Sequence, residues 1–194
     1  MTEEKKPHHH GALREALIAA GIRLLEQGGP DALTLRRCAA LAGVSHAAPA
    51  HHFDGLAGLK LAIADEGFRR FRDCMLTAEA QGDPSPRGRL KGICRGYLAF
   101  ARANRAMFHL LFGYEMSAPH HGGVPDAARV GYDVLSRCCA PFVSPGSDPR
   151  AIEIQVWSLI HGYASLSLAG RIGPDDPALF EQVLALLDRV GNAS

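Results

Sequence analysis

Nowhere in this chain do apolar and polar residues alternate over the length of a strand; apolar residues return three and four positions apart instead. That period places them on one stripe of a helix, whereas a half-buried strand needs a period of two. "GALREALIAAGIRLLEQGG" aligns Leu13, Leu17, Ala20, Leu24 and Leu25, and Gly28-Gly29 closes the run as glycine does past a helix end. In "PDALTLRRCAALAG" Thr34 is placed to cap a helix with Leu35, Cys38, Ala39 and Leu41 or Ala42 inward, and Gly43 breaks it. Ser45 would then cap a third, short helix over about residues 46–51, with Pro49 near the end of its first turn, where the missing N–H costs little. Two short helices joined by a tight glycine-containing turn make a helix-turn-helix. Ala39 and Gly43 would let the two approach closely, and Val44 and Phe53 would anchor the second.

The same spacing continues downstream. A long helix is predicted over 56–80, with Leu59, Ile63, Phe68, Phe71 and Met75 inward, and "QGDPSPRG" ends it. Another spans 87–103, burying Leu90, Cys94, Tyr97, Leu98 and Ala101. "ANRAMFHLLFGYEM" is a short apolar helix and "APHHGGVP" (118–125) a loop. Helical patterns return at 126–141, 149–170 and 177–190, separated by "SPGSDP" and "GPDDP", where Asp175-Asp176 sits to cap the last helix. The reading is all-α, about nine helices, with a three-helix head and a larger helical domain: 1–54 and 55–194.

Charge and composition narrow the function classes. An apolar fraction of 47% can fill a core, and a net charge of +1 names no partner. From Lys5 to Phe53, however, Lys5, Lys6, Arg14, Arg23, Arg36 and Arg37 face only Glu15, Glu26 and Asp31, a weak basic bias. The start "MTEEKKPHHHG" lacks an apolar signal core, and "AIEIQVWSLIHGYASLSLAG" is broken by Glu153, Gln155 and His161, so no membrane partner is expected. The 5 cysteines show no CxxC spacing, which fits reduced thiols in a cytoplasm; Cys138-Cys139 read as buried thiols rather than a redox sensor. There is no GxSxG elbow, no HExxH and no phosphate-cradling glycine loop, so no enzyme activity and no cofactor are expected. His51 and His52 are adjacent and so point to different sides of a helix; zinc usually takes four ligands, and only Asp54 is near in sequence. No metal site is expected there.

"LTLRRCAALAGVSHAAPAHHF", after a helix ending in Gly-Gly, resembles the DNA-binding head of the TetR family of bacterial transcriptional regulators. "HHHGALREAL" resembles the start common in one branch of it, "YLAFARANRAMFHLLF" (97–112) that branch's earlier C-terminal signature, and "WSLIHGYASL" (157–166) its Trp…His-Gly element. The resemblance implies a homodimer joined through the last two long helices, reading a near-palindromic double-stranded operator through two successive major grooves. It makes "SHAAPAHH" the groove-entering surface. Ala47, Ala48 and Ala50 let the backbone approach base edges, and His46 and His51 hydrogen-bond bases or phosphates. Thr34 and Ser45 sit where helix N-termini favour phosphate. Members commonly carry tyrosine where Ala50 stands and lysine where Leu56 stands, both for phosphate. Either Arg36, Arg37, His51, His52 and the Lys5/Lys6 arm compensate, or DNA binding is weak. The helical domain is then expected to bind a small apolar or amphipathic effector.

Tyr97, Phe100, Phe108, Phe112, Trp157 and His161 are the candidate lining, with Arg102, His109 and Glu115 at its edge. For Trp157 and His161, core packing with the imidazole hydrogen-bonded, and Gly162 admitting a neighbouring helix, is the competing reading, and the same alternative holds for Tyr97, Phe100, Phe108, Phe112 and Tyr163. The functional expectation is a ligand-released repressor. The alternative is a ligand-binding or protein-interaction module on the same fold without specific DNA binding.

Overall fold

A computed structural model describes residues 8–113 and 126–191. Among the described residues the regular structure is helical: α1 His8–Gly28, α2 Leu35–Leu41, α3 Gly55–Gln81, α4 Pro86–Ala103, α5 Arg105–Phe112, α6 Asp126–Cys139, α7 Pro149–Leu168 and α8 Pro177–Ala185. Short 3-10 turns cover Pro30–Ala32, Ala48–His51, Ala140–Phe142 and Leu186–Arg189. Lys5, Lys6, Glu115 and the expected loop at 118–125 lie outside the described residues.

Several helix starts repeat one local device. Ser85, Asp148 and Asp176 each stand immediately before a proline that opens α4, α7 or α8. Each side-chain oxygen accepts from a backbone N–H of the first turn: Gly88 at 3.0 Å, Arg150 at 3.0 Å, and Ala178 at 2.9 Å. A cap satisfies an orphan donor, and proline at the first position has none to lose. Asp176 therefore caps the last helix as expected.

The chain divides into two compact units, one holding the described residues through Gly67 together with α5 from Ala106, the other Phe68–Arg105 and the residues from Asp126 on. In the first, Leu17, Leu25, Leu33, Leu59 and Ile63 form a core exposed by no more than 2%. Gly21 packs tightly there: a Cβ would stand 2.6 Å from Ile63 Cδ1, so the Ile63 side chain would have to move. In the second, Phe71 packs edge-on against Tyr97 and Phe100, with ring centroids 4.9 and 5.3 Å apart. Its α3 half lies so close to α4 that Cβ atoms on Gly92 and Gly96 would reach backbone, Glu79 Cα at 2.9 Å and Met75 Cα at 2.6 Å. The inward sets expected for α3 and α4 are all buried.

Several expectations need correction. The third helix, over 46–51, is not an α-helix. Pro49 has no N–H with which to reach the Ser45 carbonyl four residues back; Ala48 N–H takes that carbonyl at 3.0 Å, and the chain tightens into i→i−3 bonds, Ala50 to Ala47 and His52 to Pro49. The turn starts from Ala47 with no side-chain cap, so Ser45 serves through its carbonyl and not its hydroxyl. Gly162, expected to admit a neighbouring helix, would place a Cβ against nothing within 4 Å. Gly43 likewise has open space; its φ of +71° is what matters. It lets Gly43 N–H reach the Ala40 carbonyl at 3.2 Å and Val44 N–H the Ala39 carbonyl at 3.0 Å, the paired bonds of a left-handed helix stop.

Candidate functional site

The first candidate surface is built by the α2 stop and the turn after it. Thr34 caps α2 by accepting from Arg37 N–H at 3.2 Å, which leaves the Arg36 and Arg37 side chains exposed in the first turn. Beyond Gly43 the turn is held from below by Pro49, which is buried, and by Phe53, 7% exposed, with the Arg14 guanidinium 5.5 Å above its ring. Ser45, His46, Ala47, Ala50 and His51 are exposed; Ala48, His52 and Leu56 are half-buried. His51 and His52 therefore diverge as their adjacency requires, and His52 lies 6.3 Å from the Phe53 ring. The outward surface is small, polar and free of acid between Arg37 and Asp54. Such a surface accepts close approach and offers donors to an anionic partner.

The second candidate lies among α4, α6 and α7. Glu153, Trp157 and His161 are spaced i, i+4, i+8 and share one side of α7. Glu153 is 5% exposed, the one buried charged residue among those described. Its carboxylate accepts from the Tyr132 hydroxyl and, at 2.7 Å, from the Ser136 hydroxyl, both on α6. That bond to the carboxylate pushes the Tyr132 phenol up to about 12. The Tyr132 ring meets Trp157 edge-on at 6.1 Å. On the other flank lies Tyr97 of α4. The Tyr97 oxygen lies 2.7 Å from His161 Nδ1. Burial pushes the imidazole down and the Tyr97 phenol up, so both stay neutral near neutral pH.

The sequence-expected lining residues separate on this frame. Tyr97, Trp157 and His161 come together. Phe100 is fully buried against Phe71, and Arg102 is bound to Asp175. Phe108, His109 and Phe112 belong to α5 in the other unit, where Phe108 and Phe112 pack at 4.9 Å and His109 is exposed. Tyr132, Ser136 and Glu153 were missed. Their one signal was Glu153 itself, a lone charge inside a long apolar run; the two hydroxyls that hold it come from another helix, which spacing within α7 does not reveal. Burial pushes the Cys138 thiol up to about 11 and Cys139 to about 12, so both stay protonated, as expected of packed thiols. Among the described residues no three His, Cys, Asp or Glu side chains are placed to hold a metal, and no helix is long and apolar enough to cross a membrane.

Comparison with known proteins agrees with the head-plus-helical-domain arrangement. Residues 17–63 match the model for bacterial regulatory proteins of the tetR family, and residues 90–187 the tetracyclin repressor-like C-terminal domain. No curated protein matches. A protein of unknown function from Rhodococcus sp. RHA1 is 31% identical, with 96% of this chain and 97% of that one covered and a TM-score of 0.79. The transcriptional regulator FadR from Bacillus subtilis, solved with stearoyl-CoA, shares the fold at 14% identity, TM-score 0.70, covering 89% and 96%. The multidrug binding protein EbrR, solved with imidazole, does so at 19% identity, TM-score 0.71, covering 100% and 99%. With both of its halves matched by models of one family, this chain belongs to the TetR family of bacterial regulators, with a helix-turn-helix DNA-binding head and a helical ligand-binding domain.

Proposed function

We propose that the protein is a ligand-released repressor that binds a near-palindromic operator as a homodimer and works in the cytoplasm. The observation that carries this is the exposed segment from Ser45 to His51, held in shape by buried Pro49 and flanked by Arg36 and Arg37. Bound there, the dimer would exclude polymerase from a promoter.

Dimerisation through α7 and α8 is supported by their outward faces. Ala151, Ile154, Ser158 and Leu166 lie outward on α7, with Ile154 58% and Leu166 48% exposed and no charged residue on that face. On α8 and the turn after it, Leu179, Gln182 and Leu186 repeat at i, i+3 and i+7, all exposed. Helix faces meant for water carry charge; an uncharged apolar stripe signals a partner. Small residues at Ser158 and Gly162 suit a second helix at close range, which gives Gly162 its open space a use between subunits.

Release requires that effector favour the conformation that does not bind DNA, with α3 tilting to carry the heads out of register. A typical coupling of about 1–3 kcal/mol changes operator affinity about 5- to 150-fold. Relatives solved with stearoyl-CoA and described as multidrug binding support an apolar or amphipathic effector.

The test is selection from random duplexes, repeated with a His46→Ala, His51→Ala variant. The reading expects a two-fold symmetric motif that the variant loses or alters. Salt-sensitive binding without any enriched motif would overturn it, and would favour the module reading to which Ala50 and Leu56 point.

A further inference from the structure

We propose that the side of α7 carrying Glu153, Trp157 and His161 binds an organic cation, with the Glu153 carboxylate as its counter-charge and Trp157 and Tyr132 as its aromatic wall. A buried carboxylate is costly unless a cation meets it. Here the two carboxylate oxygens receive one neutral hydroxyl each, from Tyr132 and Ser136, and no lysine or arginine forms an ion pair with Glu153 among the described residues. The nearest basic residue along α7, Arg150, is 73% exposed and hydrogen-bonds Asp148 with Nε at 3.0 Å and Nη2 at 2.7 Å, so its charge acts on Glu153 and Tyr132 only through space. A carboxylate has lone pairs to spare after two bonds.

The surroundings have the matching chemistry. Trp157 is 39% and Tyr132 37% exposed, so the aromatic pair above the carboxylate opens to solvent. Aromatic faces attract cations, tryptophan most strongly, and more so when water is displaced. On the flank beyond Trp157, Tyr97 and His161 are hydrogen-bonded to each other, and burial keeps both neutral. The site therefore selects by sign, an amine or quaternary centre on an apolar body over a carboxylate or phosphate of the same size. Calling such a ligand the effector rests on the regulator reading; the binding itself does not.

Trp157 is the single tryptophan of the chain, so its emission reports from inside the site. The full chain, free of DNA, is titrated with tetraphenylphosphonium and with tetraphenylborate, ions of matched shape and opposite charge. Saturable change with the cation, at least tenfold tighter than the anion, is expected. Glu153→Gln should abolish that preference. Tyr132→Phe keeps the ring, frees an oxygen of Glu153 and should tighten the cation, a gain that a misfolded variant does not give. Equal or tighter binding of the borate, a preference that survives Glu153→Gln, or weaker cation binding in Tyr132→Phe overturns the proposal. Failure here leaves duplex selection untouched, and failure to select a duplex leaves this titration untouched.

Discussion

Replacing Gly96 with alanine tests whether α3 and α4 are as close as their backbones indicate. Two effects oppose. Alanine is favoured over glycine inside a helix by about 1 kcal/mol. Against that, the new Cβ meets the Cys74 carbonyl oxygen, with Met75 Cα at 2.6 Å and the Cys74 carbonyl carbon at 2.8 Å. Overpacking costs about 1–3 kcal/mol, and the upper end applies because these neighbours are main chain and cannot rotate away. The net is a loss of about 2 kcal/mol, or a Tm lower by roughly 4–8 °C for a chain of this size. Gly131→Ala is the control. It lies buried in α6, but its Cβ would find Phe71 Cδ1 at 3.5 Å, an ordinary contact, so the propensity gain of about 1 kcal/mol should survive. Urea unfolding of both variants at one protein concentration gives the comparison. Changes of the same sign in the two would refute the claim that main-chain proximity, and not glycine's flexibility, dictates residue 96.

Four further outcomes are expected. Asp176→Ala should cost about 1 kcal/mol by uncapping α8, measured by urea unfolding, with Asp176→Asn retaining most of it. The Arg137 guanidinium, bonded to Glu79 at 2.6 and 2.9 Å, holds that carboxyl below its ordinary value of 4.5. Its contribution to stability is complete above the ordinary value and is lost as pH falls through the lower folded one, so Glu79→Gln should flatten the acid limb of a stability profile taken from pH 6 to 2. Ultraviolet titration should find a tyrosine ionising near pH 12 that moves down in Glu153→Gln. Leu166→Asp should turn a dimer into a monomer in sedimentation, with helix content unchanged; a variant still dimeric would move the interface off α7.

Helix ends were legible because they are written locally. Ser85-Pro86, Asp148-Pro149 and Asp176-Pro177 are caps and stops that need no knowledge of the rest of the chain, and the observed starts fall on them. The buried stripes of α3 and α4 were legible for the same reason. The segment after Gly43 misled because a proline tolerable in the first turn of a longer helix leaves a short one too few bonds to remain α-helical. Glu153 was passed over because its two hydroxyl partners arrive from α6, and the choice for Phe100 between core and lining stayed open because composition shows an aromatic without showing which way it faces. Gly162 was assigned a neighbour inside the chain; a glycine's purpose depends on what lies opposite, which sequence spacing omits.

The proline within the exposed turn has a consequence for the cost of docking. Its ring fixes one backbone torsion in every state of the chain, and its carbonyl accepts from Phe53 N–H at 2.9 Å, tying the turn to the residue whose ring lies under the Arg14 guanidinium. A flexible loop surrenders its freedom when it meets a partner and weakens the complex by that amount. Here part of that freedom is already gone before any encounter, so a partner meeting the exposed alanines and histidines would have less of the turn to order.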